Sequence, residues 1–496
     1  MKNMKKLASL LLVMVMVLSL TAAAMADEST SHTITITTEK EGHTFEAYQV
    51  FTGTINEEGT IWKLSNINWG SGVNSSTLLA ELKTHEAYSK CKTADDVANV
   101  LKDRGDYVDA FANIVSKHLT TAAGSANAPT EKTGYVINIT GDGYYFVKDA
   151  APVTGNDAAT KYMLSVARDV TVSPKVELPT MEKKVKDIND STGVATGWQD
   201  SADHDIGNTV SFQLTGKVAA NYDLYNTYKF AFHDEESVGL TFNKIVSVCI
   251  DDTPITDGYR LVSSPTDGCT FEIVFDDLKT ITSVHANSII TVEYTSILND
   301  GAVIGRPGNP NEAHLEFSNN PYDEGTGSTP KDKVVVFTYK TVVNKVDTSG
   351  TPLNGAAFKL EKKTGPDTWD FVKEYTVDED HPRNTFEFTG LDDGTYKLTE
   401  TVTPTGYNTI VPIEFEIIAE HSVTHDDPIL VSLTAPSGFE ANLDNGSLTT
   451  NVENKAGTQL PTTGGIGTTL FYVIGSVLVL AAVVLLVTKK RMNAQN

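Results

Sequence analysis

The stretch Tyr396-Lys397-Leu398-Thr399-Glu400 alternates bulky apolar with polar side chains. Successive side chains of a strand point to opposite faces of its sheet, so Tyr396, Leu398 and Glu400 share one face. The reading is a half-buried strand that ends with a carboxylate on its apolar side. The same period of two runs outward from it, and 334–459 reads as an all-β sandwich. Residues 176–333 are also nearly all strand, punctuated by turns such as Asp257-Gly258 and Asp267-Gly268, and predict a second β-sandwich. Within it, 319–331 is rich in Gly, Ser, Thr and Pro, which suits a linker or a long exposed turn. Residues 27–175 differ. Strands at 33–38, 45–51, 135–139, 143–147, 163–166 and 170–172 enclose a stretch in which Leu78, Leu82, Val97, Val100, Leu101, Val108, Phe111 and Val115 recur at helix spacing. Thr93 and Asp96 have the spacing of a capping box, so this part reads as α+β.

The chain has distinctive ends. Lys2, Lys5 and Lys6 precede an apolar run over 7–20 and the small-residue pattern Ala24-Met25-Ala26, which reads as a secretory signal peptide over 1–26. Near the other end, 470–487 is uninterruptedly apolar and long enough to cross a bilayer core, and Lys489, Lys490 and Arg491 follow it. Positive residues stay cytoplasmic, so everything before this helix lies outside. Before it stands Leu460-Pro461-Thr462-Thr463-Gly464. Motif, Gly465-containing spacer, apolar span and basic tail together resemble a Gram-positive cell-wall sorting signal. The resemblance implies that a sortase cysteine attacks the Thr463 carbonyl, expels the segment from Gly464 onward, and holds the chain as a thioester until an amine resolves it. Segment 465–496, with its transmembrane helix and basic tail, is then temporary.

A length of 496 residues suits about three domains. The formal charge is −25, and losing three lysines with the signal peptide and three cations with the tail takes it to −31. So acidic a surface argues against nucleic acid and anionic lipid as partners. Cys91, Cys249 and Cys269 are the only cysteines. An exported chain of this size therefore lacks a disulfide framework, with Cys249–Cys269 as the single candidate pair, and needs another stabilising device.

That device is suggested by resemblance. Asn344-Lys345-Val346-Asp347 with Gly350 and Leu353-Asn354-Gly355-Ala356, then the Tyr396–Glu400 stretch continuing to Pro404 and Gly406-Tyr407, then Val452-Glu453-Asn454-Lys455 resemble, in order, the first strand, E-box and last strand of a CnaB-type immunoglobulin-like domain. The resemblance implies an intramolecular isopeptide bond between Lys345 and Asn454, promoted by Glu400. Alternation allows it. Asn454 shares a face with Val452, and Lys345 shares one with Val343, although Val342 and Val346 leave the facing of that strand open. Burial lowers the pKa of a lysine and raises that of a carboxylic acid, by up to roughly 3 to 5 units. A neutral amine is a nucleophile, a protonated carboxyl can polarise the amide, and groups held in contact react at effective molarities on the order of 10⁵ M or more. Ammonia leaves, and no enzyme is needed.

The middle sandwich resembles a CnaA-type pilin domain, which implies a second trio. Lys183 alternates with Met181 and Val185 on an apolar face, Asp234 follows Tyr228, Phe230 and Phe232, and Asn319 follows Leu315 and Phe317. The expected bond is Lys183–Asn319 with Asp234 as promoting acid, Lys184 and Asn320 being alternatives.

Finally, Val170-Thr171-Val172-Ser173-Pro174-Lys175 resembles the pilin motif of SpaA-type backbone pilins, with Ser173 where an aromatic is usual. Tyr48-Gln49-Val50-Phe51, Trp69-Gly70-Ser71-Gly72-Val73 and Gly143-Tyr144-Tyr145 extend that resemblance through the first part of the chain. It implies a fimbrial shaft subunit whose Lys175 amine resolves the thioester on Thr463 of another copy. Proline fixes the backbone and cannot extend a ladder, so Lys175 is expected at a strand end. The partners implied are a pilus-type and a housekeeping sortase, other copies of the chain, accessory pilins and peptidoglycan. The rival is a monomeric wall-anchored adhesin or an accessory or basal pilin that leaves Lys175 unused. No HExxH, no GxSxG and no Cys/His pairing of useful spacing is present, and the 11 histidines form no ligand run, so neither enzyme activity nor a metal or cofactor is expected.

Overall fold

A computed structural model describes residues 30–38, 40–58, 61–103, 107–130, 133–174, 176–189, 192–321, 324–457 and 466–492. The signal peptide 1–26, Lys175 and the run Leu460 to Gly464 lie outside the described residues.

In the first part, strand Ser31–Ile36 is central to a sheet, antiparallel to Tyr135–Thr140 on one side and parallel to Val170–Val172 on the other. A second sheet runs in the order Ile61–Trp69, Phe45–Glu58, Gly143–Asp149, Lys161–Val166. Helices Ser75–Leu82, Ala94–Asp103 and Val108–Val115 cover it, burying Leu78, Leu82, Val97, Leu101 and Phe111 with Tyr48, Phe51 and Phe146. The capping box forms as expected. The Asp96 amide donates to Thr93 Oγ1 at 3.1 Å and the Thr93 amide to Asp96 Oδ2 at 3.0 Å, satisfying amides that the first helical turn leaves without partners.

The middle part is a sandwich. One sheet runs Thr253–Pro254, Leu240–Ile250, Ile289–Leu298, Thr209–Lys217, Thr180–Val185; the facing sheet contains Ser201–Asp203, Asp332–Phe337, Asn309–Ser318, Phe230–Glu236, Phe271–Phe275 and Arg260–Val262. Phe212, Leu214, Phe230, Phe232, Tyr294 and Leu315 fill the space between them. The last part is a second sandwich. Tyr339–Asp347 and Ser447–Asn454 lie side by side and parallel in one sheet, and Ala357–Lys363, Gly394–Val402 and Ile413–His421 lie in the other, over a core of Phe358, Leu360, Phe386, Tyr396 and Phe415.

Two expectations change. The division at 333/334 falls inside strand Asp332–Phe337, which pairs with Asn309–Ser318 and Ser201–Asp203 of the middle part. Its alternate residues serve different cores, Val334 and Val336 the middle one and Val335 and Phe337 the last. A strand buried on both faces reads as a continuous apolar run, so period-two reading cannot place a boundary in it. The candidate pair Cys249–Cys269 also fails. Both are free thiols, Cys249 in the sheet of Leu240–Ile250 and Cys269 in the turn leading into Phe271–Phe275 of the opposite sheet.

Helix Ile466–Met492 contains an apolar span, Phe471–Lys490, of 20 residues. At about 1.5 Å per residue it is long enough to cross the hydrocarbon core.

Candidate functional site

In the last sandwich, the parallel register sets Lys345 opposite Val452 and Asp347 opposite Asn454. Lys345 and Asn454 are therefore on one face, a single step of two residues apart. Val343 is fully buried and Val342 only half-buried, so Lys345 faces the core. Glu400 reaches the same point from Gly394–Val402 in the other sheet. The Asn454 amide nitrogen donates to both Glu400 oxygens, at 3.1 and 3.2 Å, and Lys345 Nζ is 3.9 Å from Glu400 Oε1. Lys345 Nζ donates to the Val452 carbonyl at 2.6 Å. Lys345 and Asn454 are 0% exposed and Glu400 is 5% exposed. Burial pushes the lysine below its ordinary value, with Glu400 opposing. The Asn454 side-chain oxygen has no hydrogen-bond partner. Lysine and asparagine thus meet the same buried carboxyl group, the asparagine through its amide N–H.

In the middle sandwich, Lys183 Nζ donates to Asp234 Oδ2 and, at 2.6 Å, to the Tyr294 hydroxyl. Tyr294 donates to the same Asp234 oxygen at 2.7 Å. The asparagine completing this group is Asn311, whose amide nitrogen donates to the Tyr294 hydroxyl at 2.9 Å. Lys183, Asp234, Tyr294 and Asn311 are all 0% exposed. Burial drives Lys183 down and Asp234 up, each tempered by the other, so the neutral amine and the neutral acid are both favoured. Burial and then Asp234 raise the Tyr294 hydroxyl well above its ordinary value, which keeps it a donor.

Asn319, the expected partner, is elsewhere. Its side-chain amide nitrogen donates to the carbonyls of Val153 and Asp157 at 2.7 and 3.2 Å, and its backbone carbonyl accepts from the Ala159 amide at 2.8 Å. It holds the first part of the chain against the middle sandwich. The alternative Lys184 lies half-buried, paired with Asp200 at 2.5 Å and Glu182 at 3.0 Å. The signal for Asn311 was available, since Asn309, Asn311, Ala313, Leu315 and Phe317 alternate inward along one strand. Nothing in the alternation of Ile289–Leu298 distinguishes Tyr294 from an ordinary core aromatic.

The segment before Lys175 behaves as its proline demands. Val170–Val172 is an edge strand, the Thr37 amide donates to the Val172 carbonyl at 2.9 Å, and the ladder then stops. Ser173, in place of an aromatic, meets the Thr37 hydroxyl at 2.7 Å. Pro174 and Val176 border a cavity of about 190 Å³ lined also by Lys40, His43, Phe45 and Asp157. His43 bridges Asp149 at 2.5 Å and Asp157 at 3.2 Å, and Lys40 pairs with Asp157 at 3.1 Å. Burial disfavours the imidazolium, but the two carboxylates outweigh it and raise His43 to about 9.

Comparison with known proteins agrees with this architecture. Residues 340–428 match the SpaA family, a prealbumin-like fold domain, and residues 452–494 match the LPXTG cell wall anchor motif. The chain is 25% identical over 402 residues to the trypsin-resistant surface T6 protein of Streptococcus pyogenes, covering 64% of this chain and 70% of that one. Its fold is similar to that of the T6 backbone pilin of Streptococcus pyogenes, with a TM-score of 0.51 and 18% identity over 88% of this chain and 100% of that chain. It is similar too to the major pilin SpaD of Corynebacterium diphtheriae, with a TM-score of 0.50 and 18% identity over 88% of this chain and 99% of that chain. The protein is anchored to the cell wall and spans the membrane only as a precursor. By its anchor motif, its SpaA-type domain and its relatives, the chain is similar to the sortase-assembled, LPXTG-anchored major pilins of Gram-positive bacteria.

Proposed function

We propose that each copy is a shaft subunit joined through its Thr463 carbonyl to Lys175 of the next, and tied internally by Lys345–Asn454 and Lys183–Asn311 bonds. The observation that carries the internal ties is the contact of Asn454 with both Glu400 oxygens beside the buried Lys345. In each site the neutral amine attacks the amide carbon and the carboxyl group carries the proton from nitrogen to the departing ammonia. One C–N bond forms and one breaks. The middle site adds the Tyr294 hydroxyl, which orients lysine, acid and asparagine together.

Such bonds define the path of a pull along the fibre. Tension enters at Lys175, crosses from Lys183 to Asn311, runs on to Lys345, crosses to Asn454 and leaves at Thr463. Segments 184–310 and 346–453 sit outside that path, as does everything before Lys175. A head-to-tail link of this kind does not close on itself, so it produces a filament. The partners this requires are a pilus-type sortase for each joint and a housekeeping sortase for the final transfer to peptidoglycan.

The test is electrophoresis of wall extracts boiled in SDS. The wild type is expected to show a ladder of high-mass species, and Lys175→Ala to collapse it to a single anchored band. A single band in the wild type overturns the shaft reading.

A further inference from the structure

Glu400 is not held by the lysine and asparagine alone. Beyond its strand Gly394–Val402 the chain turns through 403–410, and two groups of that turn reach back to the acid. The Thr403 hydroxyl donates to Glu400 Oε2 at 3.2 Å, and the Ile410 backbone amide donates to the same oxygen at 3.2 Å. Thr403 Oγ1 also lies 2.7 Å from Thr409 Oγ1. A hydroxyl has one hydrogen to give. Both contacts are hydrogen bonds when Thr409 donates to Thr403 and Thr403 donates to Glu400.

The same turn grips the chain just past Asn454. The Asn408 amide donates to the Lys455 carbonyl at 2.9 Å, the Gly457 amide donates to the Gly406 carbonyl at 2.8 Å, and Tyr407 pairs with Ala456 in an antiparallel bridge. One short turn therefore fixes the acid with its ends and the asparagine-bearing strand with its middle.

This leaves the two oxygens of Glu400 unequally loaded. The Asn454 side-chain nitrogen donates to Oε1 at 3.1 Å and to Oε2 at 3.2 Å. Among the described residues, Oε2 then has three donors and Oε1 has one. A carboxylate oxygen offers about two lone-pair sites, so Oε2 is saturated and the open site is on Oε1. Oε1 is also the oxygen 3.9 Å from Lys345 Nζ. It therefore serves both nitrogens of the exchange.

We infer that Thr403 is a positioning residue for the Lys345–Asn454 bond: with the Ile410 amide it occupies Glu400 Oε2 and reserves Oε1 as the oxygen that carries the proton. In the step itself the Lys345 Nζ–Asn454 Cγ bond forms and the Asn454 Cγ–Nδ2 bond breaks. One proton passes from Nζ to Oε1 and from Oε1 to the departing Nδ2, which leaves as ammonia, and Glu400 ends as it began. Thr403 acts only through Glu400. The inference rests on the internal-tie reading and deepens it for the last sandwich.

The test follows bond formation in the full chain, synthesised in a cell-free system with detergent, quenched at intervals into acidic denaturant and digested with trypsin. Mass spectrometry then reads the fraction of Lys345 joined to Asn454, with the Lys183–Asn311 join of the same molecules as internal reference. Thr403→Val, which keeps the shape and removes the donor, is expected to slow the Lys345–Asn454 join about tenfold, the worth of one hydrogen bond to a charged group. Thr403→Ser, which keeps the donor, should restore the rate to within about twofold of the wild type. Thr403→Ala is read as Thr403→Val should that variant not fold. A wild-type rate in Thr403→Val would overturn this inference and leave the internal tie standing, as would a Thr403→Ser as slow as Thr403→Val. Equal slowing of both joins would assign Thr403 to folding and overturn it as well. Absence of the join from the wild type would overturn the tie and this inference together.

Discussion

Lys345 and Asn454 stand one two-residue step apart on adjacent parallel strands, at the two ends of a sandwich whose chain between them runs through every other strand. A bond there joins the first strand to the last. It is expected to remove one ammonia, about 17 Da, from the intact mass, and a Lys183–Asn311 bond to remove another. In mass spectrometry Asn454→Ala and Asn311→Ala should each cancel one deficit, while Asn319→Ala should cancel none. A deficit lost with Asn319 and kept with Asn311 would restore the pairing expected from sequence.

Removing the promoting acid should leave the fold but not the tie. Glu400→Ala is expected to abolish the deficit of the last sandwich and to cost about 5 kcal/mol, the loop-closure value for a loop near 100 residues. That corresponds to a fall in Tm on the order of 20 °C for a domain of this size, measured by calorimetry. Under force, the same variant should release segment 346–453 as an extension of roughly 350 Å at about 3.3 Å per residue, where the wild type releases none.

The Tyr294 hydroxyl touches lysine, acid and asparagine at once. Tyr294→Phe keeps the ring in the core but removes that junction. The middle sandwich should then fold while its mass deficit appears slowly or incompletely, with the last sandwich unaffected. Prompt, complete bond formation in this variant would show that Lys183 and Asp234 suffice.

The buried His43 ties pH to stability in the first part of the chain. Its folded pKa, about 9, lies above the ordinary 6.5, so its stabilisation is complete below about pH 6.5 and is lost as pH rises through 9. The contribution is about 3 kcal/mol, at 1.36 kcal/mol per unit. Asp157 acts at the other end: its pKa is lowered by His43 and Lys40 against the opposing effect of burial, so its share is lost as pH falls through the acid range. Thermal melts between pH 6 and 10 should show an alkaline loss that His43→Gln flattens. An unchanged slope in that variant would place the titration elsewhere.

Much of this was legible in the residues. The sorting run and apolar span at the end of the chain are local chemistry, as is the Thr93–Asp96 cap. The inward facing of Lys183, Asp234, Glu400 and Asn454 follows from period-two alternation, which any strand must show. The facing of Lys345, ambiguous among Val342, Val343 and Val346, was settled by the packing of the two sheets, which buries Val343 in the core and leaves Val342 half-buried.

What only the tertiary structure decided was depth along a strand. Asn309, Asn311 and the residue after the strand end, Asn319, share one parity, so alternation admits them equally. Which of them meets Lys183 depends on how one sheet is stacked across the other. The register and offset of the packed sheets place Asn311 at Tyr294 and carry Asn319 beyond the core to Val153. The same holds for His421 and Asp203, far apart in sequence and adjacent only because two sandwiches share the strand Asp332–Phe337. Alternation is set by the backbone of each strand alone, whereas coincidence in space is set by the packing of whole sheets.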